Sequence, residues 1–193
     1  MTRKDYRDFR KLLHESSDEK RRCKLEKAQL EGIGLCLSVL EQEYVNRILI
    51  NFDCFKTNRK GNKFYIKQDS TISERSVDNY NEFFDSKTFD AVVTITSVRT
   101  AERYTLFFVL KAVQNGGGYQ DNAKKEIGDY IRLFKQNKND NYHMIVLADG
   151  DHLDNSETLK KVGTSHKYTI ATSRPDAENN ISKILSNFIN KII

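Results

Sequence analysis

Apolar residues recur at helical spacing through Leu25, Ala28, Leu35, Leu37, Val39, Leu40, Tyr44, Val45, Ile48 and Leu49, which predicts a helical segment there. It follows a weakly periodic stretch over 4–13 and a polar break from His14 to Asp18. Gly32 and Gly34 each cost about 1 kcal/mol in a helix interior, so they divide the segment in two or let another backbone come close. Phe64-Tyr65-Ile66 reads as a short strand, and the polar run 67–82 as loop with a helical turn.

From Phe89 the pattern changes. The runs 89–95 (Phe-Asp-Ala-Val-Val-Thr-Ile) and 104–110 (Tyr-Thr-Leu-Phe-Phe-Val-Leu) are rich in β-branched and aromatic residues, and they predict a hairpin turning near residue 100. Gly116-Gly117-Gly118 breaks the chain before a helix with Ala123, Ile127, Tyr130, Ile131 and Phe134 on one face. His143 to Ala148 has the short apolar character of a buried strand, and Tyr168 to Thr172 reads as another. Ile181, Ile184, Leu185, Phe188 and Ile189 form an amphipathic C-terminal helix, with Pro175 and Asp176 near its start. No internal repeat is visible. This order predicts an α/β fold, a mixed central β-sheet flanked by helices, with one antiparallel and one parallel strand pair.

Composition narrows the class. The chain has 193 residues, 38% hydrophobic and 31% charged, with one proline and nine glycines, which excludes collagenous and low-complexity proteins and makes one domain over 1–193 the default. Residues 1–83 are then a mainly helical lead-in, and 84–193 the core. No run approaches the roughly 18 apolar residues of a membrane helix, and Met1-Thr2-Arg3-Lys4-Asp5 lacks a signal-peptide core, so a cytoplasmic protein without a membrane partner is expected. Cys23, Cys36 and Cys54 are odd in number and scattered, suggesting neither a disulfide framework nor a zinc site. His14, His143, His152 and His166 lack ligand spacing, which suggests surface or strand-edge roles. Asp149-Gly150-Asp151-His152 reads as a turn, and there is no P-loop or Gly-x-Gly-x-x-Gly fingerprint.

The net charge is +5, a mild lean toward polyanions. Residues 1–27 carry ten basic side chains, Arg3, Arg7, Arg10, Arg21 and Arg22 among them, against six acidic ones. That is either a salt-bridged helical face or a phosphate-contacting arm.

The candidate chemistry lies at one end of the hairpin. A turn near residue 100 sets Asp90 beside residues 109 to 111, so Asp90 and Lys111 can converge. A carboxylate there can hold a divalent cation, and a lysine beside it can stabilise charge developing on a phosphate. Alternatively, the lysine simply marks the strand's exit to solvent. Phe89-Asp90-Ala91-Val92-Val93, Phe108-Val109-Leu110-Lys111-Ala112, Gly116-Gly117-Gly118-Tyr119-Gln120 and Lys125-Glu126-Ile127-Gly128-Asp129-Tyr130 together resemble the PD-(D/E)xK nucleases, and within them the cleavage domains of type IIS restriction endonucleases. In those enzymes an Asp opens one strand, acid-x-Lys closes the next, a glycine-rich loop follows, and a helix carries Glu-x-x-x-Tyr. The resemblance covers roughly residues 84–190. It implies a restriction-endonuclease-like core and a Mg²⁺-dependent endonuclease hydrolysing double-stranded DNA, with Asp90 as metal ligand and Lys111 as catalytic lysine. A chain this short has little room for a separate recognition domain, so a homodimer reading its site with residues 1–83, or a heterodimer in which this chain is the cleavage subunit, is expected.

One position departs from the pattern. The acid of acid-x-Lys falls at residue 109, which is Val109. Either the acid has migrated to Glu126, or the domain is a catalytically degenerate module binding DNA or a protein partner, or Val109 is an inactivating change. Glu126 sits roughly 85° from the centre of the apolar helix face, on its border, and can reach inward as catalytic acid and second metal ligand or stay an ordinary flank carboxylate. Glu31, Glu41 and Glu43 are further candidate ligands. Gln120, about 36° from that centre, either orients a water or phosphate or caps the helix, and Gly116 to Gly118 either approach phosphate or connect.

Overall fold

A computed structural model describes residues 48–54, 63–75, 87–112, 119–149, 165 and 167–171, with the isolated positions 183, 186 and 190. Eight strands and one helix lie among them: β1 (Ile48–Cys54), β2 (Lys63–Ile66), β3 (Ile72–Arg75), β4 (Lys87–Thr88), β5 (Ala91–Ser97), β6 (Arg103–Ala112), α1 (Tyr119–Gln136), β7 (Tyr142–Asp149) and β8 (Tyr168–Ala171). The larger sheet has the order β1-β5-β6-β7-β8, and a smaller one the order β3-β2-β4.

The larger sheet is mixed. β1 and β6 pair antiparallel with β5, whereas β6, β7 and β8 run parallel. The β5–β6 hairpin turns at 98–102, with Ala101 at a positive φ of 58°. α1 is the crossover that a parallel β6–β7 pair requires. It packs on the sheet through Ile127, Tyr130, Ile131 and Phe134, against Val92, Phe107, Val109, Met144 and Val146. On the other face Val93, Ile95, Leu106, Phe108 and Ile145 are equally buried, so the central strands are covered on both sides and read as continuous apolar runs. Four aromatic rings fill the centre: Phe89 lies 4.6 Å from Phe107 and 6.2 Å edge-on from Phe134, and Phe107 lies 6.0 Å from Phe134 and 5.1 Å from Tyr142.

The expected mixed α/β arrangement is thus present, with differences of detail. Ile48 and Leu49, assigned to a helix by spacing, begin strand β1. In Ile48–Cys54 the apolar residues Ile48, Ile50 and Phe52 alternate with Leu49, Asn51 and Asp53, and the period of two prevails over the i, i+3 match with Val45. The polar stretch expected as loop contains β3. Its hairpin with β2 turns through Gln68-Asp69-Ser70, where Ser70 has φ 66° and Asp69 Oδ1 accepts from the Thr71 amide at 3.0 Å and the Thr71 hydroxyl at 2.7 Å. A three-residue loop with a left-handed third position is a standard hairpin connection, usually made with glycine. Here a serine does that work, so the usual turn signal is missing. Of the expected C-terminal helix, Lys183 and Ser186 are described and helical, with the Asn190 amide donating to the Ser186 carbonyl at 2.9 Å; the N-terminal basic segment lies outside the described residues. Among the described residues no helix is long and apolar enough to cross a membrane.

Between Phe89 and Asp90 the chain passes from one sheet to the other. The Phe89 amide donates to the Phe64 carbonyl of the small sheet at 3.1 Å, and the next amide, that of Asp90, donates to the Phe108 carbonyl of the large sheet at 2.9 Å.

Candidate active site

Asp90 stands at this seam, one residue before β5. Its Oδ2 accepts the Leu110 amide at 2.8 Å, so the carboxylate is pinned to β6 by the backbone of the strand that carries Lys111. One step beyond the Ala91–Phe108 pair, the register brings Asp90 opposite Val109. Val109 and Lys111 share a face of β6 because side chains alternate along a strand, and Val109 is fully buried against α1. Lys111 therefore emerges where the apolar face ends, beside α1.

Glu126 meets it there. Lys111 Nζ lies 2.8 Å from Glu126 Oε1, with the side chains 24% and 40% exposed. Border placement on the helix thus brings the carboxylate inward across to the sheet. Asp90, Lys111 and Glu126, contributed by a loop, a strand and a helix, come together at one end of the sheet.

Burial raises the Asp90 pKa above the usual carboxylate value, and the Glu126 charge adds to this, while the Leu110 amide and the Lys111 ammonium pull the other way. Tyr130 lies beneath the same cluster. Burial, then the charges of Asp90 and Glu126, push its hydroxyl far above the usual phenol range. It stays protonated and donates to the Thr88 carbonyl.

Among the described residues no group of three or more His, Cys, Asp or Glu side chains is arranged to hold a metal. Among the described residues the acidic side chains at this site are Asp90 and Glu126, and the residue opposite Asp90 is the buried Val109. Mg²⁺ commonly recruits one or two carboxylates, the remaining positions being filled by water and substrate phosphate. The donor set is compatible with such a cation through Asp90 and Glu126.

Glu31, Glu41, Glu43 and Gly116 to Gly118 lie outside the described residues, and Gln120 is placed only as backbone of α1. His152 and His166 also lie outside. His143, expected at a surface or strand edge, is instead 2% exposed in β7, between β6 and β8, with its Nε2 2.9 Å from Thr169 Oγ1. A short buried strand takes up a histidine when a neighbouring strand supplies a hydroxyl partner, and sequence spacing does not reveal that pairing.

Lys87 and Asp129 were not singled out by motif. They form an ion pair of 3.3 Å beside Tyr130. The available signal was the i, i+3, i+4 spacing of Glu126, Asp129 and Tyr130, which sets all three on neighbouring positions of one helix surface. No protein-family model, curated protein or solved structure matches this chain.

Proposed function

We propose that the chain is a Mg²⁺-dependent endonuclease of restriction type, hydrolysing phosphodiester bonds of double-stranded DNA. The observation carrying this reading is the convergence of Asp90, Lys111 and Glu126 at the seam between the two sheets. The element order supports it: an Asp opens one strand, a Lys closes the antiparallel next, a helix carries Glu-x-x-x-Tyr, and a parallel strand follows. That order agrees with the one expected from the resemblance.

Asp90 and Glu126 would hold the cation, which when bound neutralises phosphate charge and lowers the pKa of a coordinated water. Lys111 brings a cation to the same end of the sheet, where it can bind a non-bridging phosphate oxygen and stabilise charge that develops there. Its pairing with Glu126 holds the ammonium in place before substrate arrives. The Leu110 amide fixes one Asp90 oxygen. The apolar floor of Val109, Ile127 and Tyr130 keeps water from beneath and strengthens each interaction above it.

A second reading rests on one observation, the buried Val109 at the position of the missing acid. In it the same sheet is a degenerate module that binds DNA or a protein partner without cutting. Plasmid cleavage in Mg²⁺ separates the two. Asp90→Ala, Lys111→Ala and Glu126→Gln should each lower the cleavage rate by about 10²-fold or more, with circular dichroism and DNA affinity retained. Near wild-type cleavage by Asp90→Ala or Lys111→Ala would refute the site assignment, and an inactive wild type that still binds DNA would establish the second reading.

A further inference from the structure

The turn of α1 that carries Glu126 also grips the segment that presents Asp90. Asp129 Oδ2 lies 3.3 Å from Lys87 Nζ. The Tyr130 hydroxyl donates to the Thr88 carbonyl, and its ring lies 5.8 Å from the Phe89 ring and 5.6 Å from Lys87 Nζ. Residues 87, 88 and 89 are thus each held by α1, immediately before Asp90. Their own strand does little for them, since β4 is two residues long and lies at the edge of the small sheet.

We infer that Asp129 and Tyr130 are positioning residues that set the separation of the Asp90 and Glu126 carboxylates, by locking residues 87–89 to the helical turn from which Glu126 projects. The inference rests on the reading of Asp90, Lys111 and Glu126 as the reactive cluster. Its physical basis is that Asp90 and Glu126 come from different elements, each tied to β6 by its own contact. Asp90 is tied to β6 by the Leu110 amide, and Glu126 reaches β6 through Lys111. Those contacts fix each carboxylate to the strand, and the grip on 87–89 adds a direct tie between the segment before Asp90 and the helical turn that carries Glu126. Tyr130 is 3% exposed, so phenylalanine fills the same space and loses only the hydroxyl bond. Asp129 is 35% exposed, so asparagine there removes the charge with little effect on packing.

Groups that orient metal ligands without touching the metal typically cost about 10–100-fold in metal affinity when removed. Tyr130→Phe and Asp129→Asn should therefore each weaken Mn²⁺ binding to the full chain, measured by calorimetry without DNA, by about tenfold. The Mg²⁺ concentration for half-maximal plasmid cleavage should rise by a similar factor, with the rate at saturating metal much closer to wild type. Leu133→Ala, buried on the same helix but outside the grip, distinguishes positioning from general loosening. It should lower the urea midpoint more than either variant while leaving Mn²⁺ affinity unchanged. Wild-type Mn²⁺ affinity in both Tyr130→Phe and Asp129→Asn, alongside a wild type that binds and cuts, would overturn the inference alone. A wild type that neither binds Mn²⁺ nor cuts would overturn the reading of the cluster, and this inference with it.

Discussion

Val109→Asp tests the departure at residue 109 most directly. Val109 is fully buried, opposite Asp90 and two residues from Lys111 on the same face of β6. Losing the valine forfeits about 1.5–3 kcal/mol of apolar burial, and burying a carboxylate costs several kcal/mol more after relaxation. Without metal the substitution should therefore remove a large part of the roughly 5–15 kcal/mol that stabilises a typical domain. With metal the balance changes, because the new carboxylate, Asp90 and Glu126 make three ligands. At a free Mg²⁺ concentration of about 100 times the dissociation constant, linkage returns about 2.7 kcal/mol. For a chain of this size that is a rise in Tm of about 5–11 °C. Val109→Asn is the control, since it carries a similar burial cost without the charge. The assay is thermal unfolding of wild type and both variants with and without Mg²⁺, at matched ionic strength. A Mg²⁺-dependent rise larger in Val109→Asp than in wild type and Val109→Asn supports a metal site to which residue 109 can add a ligand. Equal responses of Val109→Asp and Val109→Asn would refute the placement of residue 109 at the site. Should Val109→Asp unfold without metal, its refolding on Mg²⁺ addition reads the same linkage.

Further outcomes follow from the same structure. Asp90 has a raised folded pKa, so its ionisation opposes folding; the penalty is absent below the unfolded value of 3.8 and grows as pH rises through the folded pKa. Asp90→Asn, which can still accept the Leu110 amide, should thus gain stability over wild type as pH rises from acid to neutral in paired urea titrations, while losing cleavage; a pH-independent difference would contradict the burial of this carboxylate. Gly128 is exposed in the interior of α1 and an added Cβ meets nothing within 4 Å, so Gly128→Ala should raise stability by about 0.8–1 kcal/mol, read as a higher urea midpoint at unchanged slope. If Arg3, Arg7, Arg10, Arg21 and Arg22 contact phosphates, the log–log salt slope of DNA affinity should be at least about −4.5, from about −0.9 per contact; affinity that is flat in salt would remove DNA as the partner.

The hairpin, α1 and β7 were legible because each announces itself locally, the strands by β-branched and aromatic runs and the helix by a regular apolar face. The proximity of Asp90 and Lys111 followed from the turn position alone, since a hairpin's register is arithmetic. For Glu126 the helix angle gave a place on the border of the apolar face, which left an inward reach and a flank ion pair both open; the structure pairs it with Lys111 of β6. β1 was misread because Ile48 and Leu49 extend an earlier helical series, although the alternation through Phe52 was available. β3 was hidden by the left-handed Ser70, which does the work of a glycine. The grip on residues 87–89 was not legible. It depends on Asp129 and Tyr130 of α1 meeting residues about forty positions earlier, and no local pattern specifies that long-range contact.

The transfer of the chain between sheets at Phe89 and Asp90 also bears on the order of assembly. The β5–β6 pairs are separated by few residues near the turn, Thr96 with Arg103 and Ile95 with Tyr104, whereas β1 meets β5 only after a long excursion, as in Cys54 with Ala91. Loop-closure entropy favours the short connection first. Asp90 and Lys111 then come together early, within a hairpin still lacking its edge strand, while Glu126 arrives only when α1 docks. The acid and the lysine thus spend the early part of folding close together but without their partner. The completed cluster forms at the same step as the apolar core beneath it, so a chain that has not buried Phe107 and Phe134 cannot yet hold all three side chains in place.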